Sequence, residues 1–179
     1  MKKKKMEIPK EKLRIFDNIV DSGGNKCGNE FMEAIGENFT EEQRFRLWEE
    51  SGGCNGGNKY DNERKAFAAE HTDKPLSERL ELYKNTLGKK LSPEKTLDIV
   101  LDEKTGTITT TFACDECYKR SIKGITTAPV TLYYESCAGG RMSYLTKALE
   151  INLKIKSVYI PPNGISKENP CVYTFEIVG

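Results

Sequence analysis

Histidine is almost missing from this chain. One residue, His71, occurs in 179, so general-base chemistry near neutral pH has a single ordinary side chain to draw on. Net charge is nearly missing as well: 28 Lys and Arg stand against 27 Asp and Glu, for a formal +1. The Lys2 to Lys5 run accounts for that balance, and without it the body is mildly acidic, which argues against a nucleic-acid groove. No run of about 18 apolar residues occurs, so no transmembrane helix is expected. The basic run leads into Met6-Glu7-Ile8-Pro9-Lys10-Glu11 instead of an apolar stretch, so no secretory signal is expected either. Residues 1–8 therefore read as a solvated, disordered basic tail, too short on its own to bind acidic lipid firmly. The expected location is the cytoplasm, with no integral membrane association and no nucleic-acid partner.

Cysteine is what the chain does have. There are six, with 15 glycines and 37% hydrophobic residues, and hydrophobic residues and glycines together are enough to build a core. The length corresponds to about 1.2 average domains, so residues 9–179 are expected to form one domain. In a reducing cytosol the six cysteines should be thiols or metal ligands and not structural disulfides.

Residues 9–90 read as helical. Leu13, Phe16, Ile19 and Val20 recur at three- and four-residue intervals up to Ser22-Gly23-Gly24. A second segment runs from about 26 to 37, with Phe31, Met32 and Ile35 inward. The third is the best marked, because Thr40 and Gln43 make a capping-box pair and Gly52-Gly53 stops the helix. A fourth covers about 62–70 and a fifth 75–87, closed by Gly88. From Thr96 the period changes from about 3.6 to 2: Leu97, Ile99 and Leu101 alternate, and Thr107 to Phe112 is rich in β-branched residues. Residues 102–106 read as a hairpin loop. A short helix is expected within 114–123, after the second strand, and Gly139-Gly140 reads as the opening of another, carrying Met142, Leu145, Ala148 and Leu149. Strands are expected at 153–160 and 171–178. The expectation is an α+β domain: N-terminal helices, then an antiparallel sheet of about four strands with a packed helix, divided at about residue 90.

The strongest local signal is Cys114-Asp115-Glu116-Cys117. Two thiolates at that spacing can grip one tetrahedral ion about 2.3 Å from each sulfur. Cys137 follows after 19 residues and Cys171 after 33 more, so Cys114, Cys117, Cys137 and Cys171 are candidate zinc ligands. Cys27, Cys54, Asp115 or water could replace any of the last three. Cys137 directly precedes the expected helix start, where the dipole would favour a thiolate. Buried cysteines also serve as small hydrophobes, which suits Cys171 in a strand alternating with Tyr173, Phe175 and Ile177. A redox dithiol would sit in an early strand-to-helix turn, whereas this motif is late and follows a hairpin. Cys54, in a glycine-rich loop, is a candidate nucleophile with His71 as candidate base; that loop lacks the Gly-Lys-Ser/Thr of a P-loop. Its glycines also serve simple turns, and His71 also suits a helix C-terminus. Tyr134, Arg141 and Tyr144, near Tyr118 and Tyr133, are candidate ligand-binding residues, with the arginine reading a carboxylate or phosphate. The same aromatics could instead fill core space.

From Thr107 to Val178, the order of strand, Cys-x-x-Cys, Cys137-Ala138-Gly139-Gly140-Arg141, amphipathic helix, and a strand opening Pro170-Cys171-Val172-Tyr173 resembles the bacterial and archaeal 4-vinyl reductase domain group. It also resembles the L-2-amino-thiazoline-4-carboxylate hydrolase-like proteins. The first resemblance implies an α/β domain that binds a small hydrophobic or tetrapyrrole-like ligand, sometimes with zinc on cysteines, here Cys114, Cys117, Cys137 and Cys171. The second implies cysteines near a pocket that serve ring-opening hydrolysis. Cys27 and Gly53-Cys54-Asn55 belong to neither pattern.

Three functions are thus expected in order: a cytosolic small-molecule-binding or sensory domain with a thiolate zinc site; a zinc- or thiol-dependent hydrolase of a small amide or thiazoline-like substrate; and an interaction module without chemistry. Four thiolates on the metal would favour a structural site, and three plus water a catalytic one. Oligomeric state is not legible in the sequence.

Overall fold

The computed structural model describes residues 10–12, 14, 29–52, 60–88, 90, 96–113 and 130–179. The expected helix over Leu13 to Val20, the helix within 114–123, the basic tail, and Cys27, Cys54, Cys114, Cys117 and Tyr118 lie wholly or mainly outside them. The described elements are α1 (Asn29–Asn38), α2 (Glu41–Ser51), α3 (Asp61–Glu70), α4 (Leu76–Tyr83) continued by a π-helical turn (Lys84–Gly88), β1 (Thr96–Asp102), β2 (Thr107–Phe112), α5 (Val130–Leu149), β3 (Asn152–Tyr159) and β4 (Cys171–Val178). Helices precede an antiparallel four-stranded sheet of order β1-β2-β4-β3. The fold is α+β.

Local chemistry sets most of these boundaries. Thr40 accepts from the Gln43 amide and Gln43 accepts from the Thr40 amide, while Gly52 takes φ 68° at the other end of α2. That conformation costs glycine little. Gly106, at φ 63°, closes the β1–β2 hairpin, where Asp102 accepts from the amides of Lys104 and Thr105. The fifth expected helix ends differently from its sequence pattern. After Tyr83 it widens into the π turn, and a Cβ on Gly88 would lie 2.9 Å from the Tyr83 carbonyl oxygen. Glycine permits that approach.

One expectation is overturned. The helix expected to open at Gly139-Gly140 starts at Val130, so both glycines lie buried in its middle and Cys137 is well inside it. Each interior glycine costs about 1 kcal/mol of helix propensity. Packing outweighs this, because α5 touches α1, α2, α3 and α4 on one side and β3 and β4 on the other.

The sheet turns Ile99, Ile108, Thr110, Phe112, Leu153, Ile155, Cys171, Tyr173 and Phe175 inward, all buried. Its other face carries Thr109, Thr111 and Thr174, partly exposed, the period-2 alternation of a sheet covered on one side. At the outer edge of β3, where the register shifts between Ile155 and Ser157, Glu49 of α2 accepts the Ile155 amide at 2.7 Å.

The helical layer is joined to α5 by one buried carboxylate. Glu135 accepts from Arg44 Nε at 2.8 Å and Arg44 Nη2 at 3.0 Å, and from the Trp48 indole N–H at 2.9 Å. Arg44 also donates to the Phe39 carbonyl at the end of α1. The bond to Glu135 holds the Arg44 guanidinium above its ordinary pKa. Breaking such a pair from one side strands the other charge. Glu135→Ala should therefore cost about 3 kcal/mol in urea unfolding, and Trp48→Phe, which removes one donor, about 1 kcal/mol.

Candidate functional site

Residues Tyr134, Cys137, Arg141 and Tyr144 follow one another at intervals of three, four and three, so they lie along one face of α5. Beneath that face runs a layer of polar groups buried between the helix and the sheet.

At one end are the two described candidate metal ligands. Cys171 is fully buried and Cys137 is 6% exposed; neither forms a disulfide among the described residues. Tyr173, two residues after Cys171 on β4 and also fully buried, donates its hydroxyl to the Tyr134 carbonyl of α5 at 2.9 Å. Burial, reinforced by Cys137 and Cys171, pushes the Tyr173 phenol well above its ordinary pKa. Burial also pushes the Cys171 thiol up to about 11, with its hydrogen bond to Tyr173 acting the other way. Phe112 is the register partner of Cys171. Cys114 and Cys117 follow Phe112 by two and five residues in sequence.

At the other end a cavity of about 10 Å³ is lined by Tyr83, Ile99, Thr110, Arg141, Tyr144 and Leu145. That is room for about one water-sized atom. Thr110 is 1% exposed, and its hydroxyl has no hydrogen-bond partner among the described residues. Arg64, 2% exposed, lies over the Tyr144 ring at 3.8 Å, and Arg141 lies 5.4 Å from the same ring. Arg64 also bonds to the buried Tyr83 hydroxyl, and the Arg64 and Arg141 charges both partly oppose the desolvation that raises its pKa. The acid beside Arg64 is Asp61, at 3.3 Å; Asp61 also holds Lys147 at 2.5 Å.

Arg141 joins the two ends. It stacks over Phe112 at 4.3 Å, and its charge reaches both the Tyr83 and the Tyr173 hydroxyls.

Of the residues singled out from the sequence, the structure brings together Cys137, Cys171, Tyr134, Arg141 and Tyr144. Tyr134 contributes its backbone carbonyl, and its ring packs edge-on against Tyr133. His71 stands apart at the C-terminal end of α3, with its amide on the Ala68 carbonyl and its ring edge-on to Phe67 at 4.5 Å. Cys54, Cys114 and Cys117 lie outside the described residues. Within those residues no group of three or more metal-ligating side chains occurs. Arg64, Tyr83 and Thr110 escaped sequence reasoning, since each fits its element's ordinary pattern and only the tertiary packing makes them converge.

No protein-family model matches the chain, and no similar curated protein or solved structure was found. No described helix is long and apolar enough to cross a membrane.

The Cys171 thiol makes alkaline stability informative. In metal-free protein the folded state holds that proton more tightly than the unfolded chain, whose thiol titrates near its ordinary 9.0. The contribution is full below the unfolded value and is lost as pH rises through the folded one. Wild type should lose up to about 2–3 kcal/mol relative to Cys171→Ala between pH 9 and 11. Urea midpoints across that interval measure it.

Proposed function

We propose that this protein is a cytosolic small-molecule-binding or sensory domain with zinc held by cysteine thiolates. The observation that carries the reading is the pairing of Cys137 and Cys171 around Tyr173, beside an arginine and a tyrosine that line a cavity. Two thiols from elements far apart in sequence are gathered in a dry interior, and the partner strand of Cys171 leads into the Cys-x-x-Cys motif.

The donor set fits a borderline-soft cation. A lone thiolate is expensive where Cys171 sits, and a bound divalent ion would remove that cost. Cys137 and Cys171 would hold the ion together with Cys114 and Cys117. When bound it would supply a fixed positive charge that ties the sheet to α5. Tyr173 holds its proton on the Tyr134 carbonyl and so keeps the thiols and the helix in register. Arg141 and Tyr144 offer the adjoining ligand wall, with Ile99 and Leu145 excluding water from it.

The reading also keeps the likeness to the 4-vinyl reductase group as a proposal, carried by the cysteine order. Elemental analysis of protein purified without chelator should find one zinc per chain, falling at least tenfold in Cys171→Ser and Cys114→Ser. Metal-free protein whose six thiols all react without chelation would overturn the metal reading and favour an interaction module.

A further inference from the structure

The sheet face turned away from α5 is laid out by the strand register, because residues paired across antiparallel strands share a face. One row across the sheet is Asp98, Thr111, Val172 and Tyr159. The next is Val100, Thr109, Thr174 and Ser157, and the third Asp102, Thr107, Glu176 and Lys154. Val100 and Tyr159, 52% and 53% exposed, both belong to this face and stand on its opposite outer strands, β1 and β3. The middle strands carry threonines and Val172, all short side chains. Charge divides the same way. Asp98 and Asp102 lie on β1, whereas Lys154 lies on β3 and Lys156, at the β3 register shift, adds to the basic side. Asp98 is held by Lys84 at 3.3 Å, so Asp102, fixed by the hairpin amides of Lys104 and Thr105, is the acid left facing outward on that edge.

We propose that a second copy of this chain packs on this face, about a twofold axis that runs along the strands. Such an axis sets β1 of one copy over β3 of the other and β2 over β4, row on row, so the same patch meets itself. Asp102 then faces Lys154 of the second copy, and the contact occurs twice. Packed sheets lie about 10 Å apart, a gap that a long lysine stem and a short aspartate span together. In the middle Thr109 meets Thr174 and Thr111 meets Val172, where short side chains allow close approach. Tyr159 lies over Asp98 of the second copy, two residues from Val100 on the same strand, so the ring covers that exposed valine. A twofold axis across the strands would instead set β1 on β1 and oppose Asp98 to Asp102, like charge against like, which disfavours it. Four strands about 4.8 Å apart, each of about seven residues rising about 3.3 Å, offer roughly 450 Å² per copy. That is near half of the ~800 Å² per partner of a standard interface, so the dimer is reversible. The interface uses none of the cysteines and stands apart from the metal reading.

Sedimentation equilibrium on the full chain, from about 10 µM to about 1 mM, should show the mean mass rising toward twice that of the chain. Added salt should weaken the association several-fold, since exposed charges are screened. Lys154→Glu and Asp102→Lys each set like charges together at both contacts, and each should weaken association at least tenfold. Mixed in equal amounts, the two variants should associate again, because every contact then joins opposite charges. Should Asp102→Lys fail to fold, Thr174→Arg puts a long cation at the centre of the face and should abolish the dimer while circular dichroism stays that of the wild type. A chain that remains monomeric throughout, or a dimer undiminished by Thr174→Arg, would overturn the interface. A dimer lost in Thr174→Arg but indifferent to Lys154→Glu would overturn the twofold arrangement along the strands.

Discussion

Glu135 is where the helical half and the sheet half of the chain become one structure. It lies on α5, the element that covers the sheet, and its three donors come from α2. Two charged groups removed from water cost several kcal/mol each, and only full hydrogen bonding recovers that. Here the carboxylate has the bidentate arginine and the indole, and Arg44 spends a further donor on the end of α1. The geometry is directional, so it fixes the rotation of α5 about its axis as well as its position. Apolar packing alone does not select among neighbouring rotations so sharply, because hydrophobic contact is non-directional.

That rotation decides which residues meet the sheet. With Glu135 facing α2, the stripe Tyr134, Cys137, Arg141 and Tyr144 meets the buried layer, and the Tyr173 hydroxyl can reach the Tyr134 carbonyl. The register of β2 and β4 then completes the arrangement by putting Phe112 opposite Cys171 and Thr110 opposite Tyr173. Buried Gly139 and Gly140 belong to the same arrangement. They are poor helix formers, so their place in the middle of α5 shows that tertiary contact, and not propensity, holds this helix.

This explains what could be read from the sequence. The capping box at Thr40 and Gln43, the stop at Gly52, the hairpin around Gly106 and the alternation of β4 are local codes, and each appears where its residues put it. The change of period near Thr96 gave the α+β class for the same reason. Gly139-Gly140 misled because glycine marks helix ends through local entropy, while here a long-range cradle outweighs that cost. Arg64 reads as one more charge on a short amphipathic helix, and Thr110 as one more β-branched strand former. Nothing within ten residues of Thr110 records that it lines a cavity with Tyr144, and nothing within ten residues of Arg64 records that it lies over that ring. Cys137, Cys171, Arg141 and Tyr144 were legible because rare or bulky functional groups stand out by type, even though the reason for their convergence is tertiary.

Arg141 gives the buried layer its continuity. Stacked on Phe112, it is held by the very strand that pairs with Cys171, and its charge is felt at both tyrosine hydroxyls. Any shift of β2 near Phe112 therefore moves the guanidinium as well as the register partner of the thiol. In this fold the link is short: one side chain and one strand end lie between the cavity and the cysteines. A close-packed interior transmits such a displacement instead of absorbing it, so a shift at the Phe112 end of β2 reaches both Arg141 and the register partner Cys171.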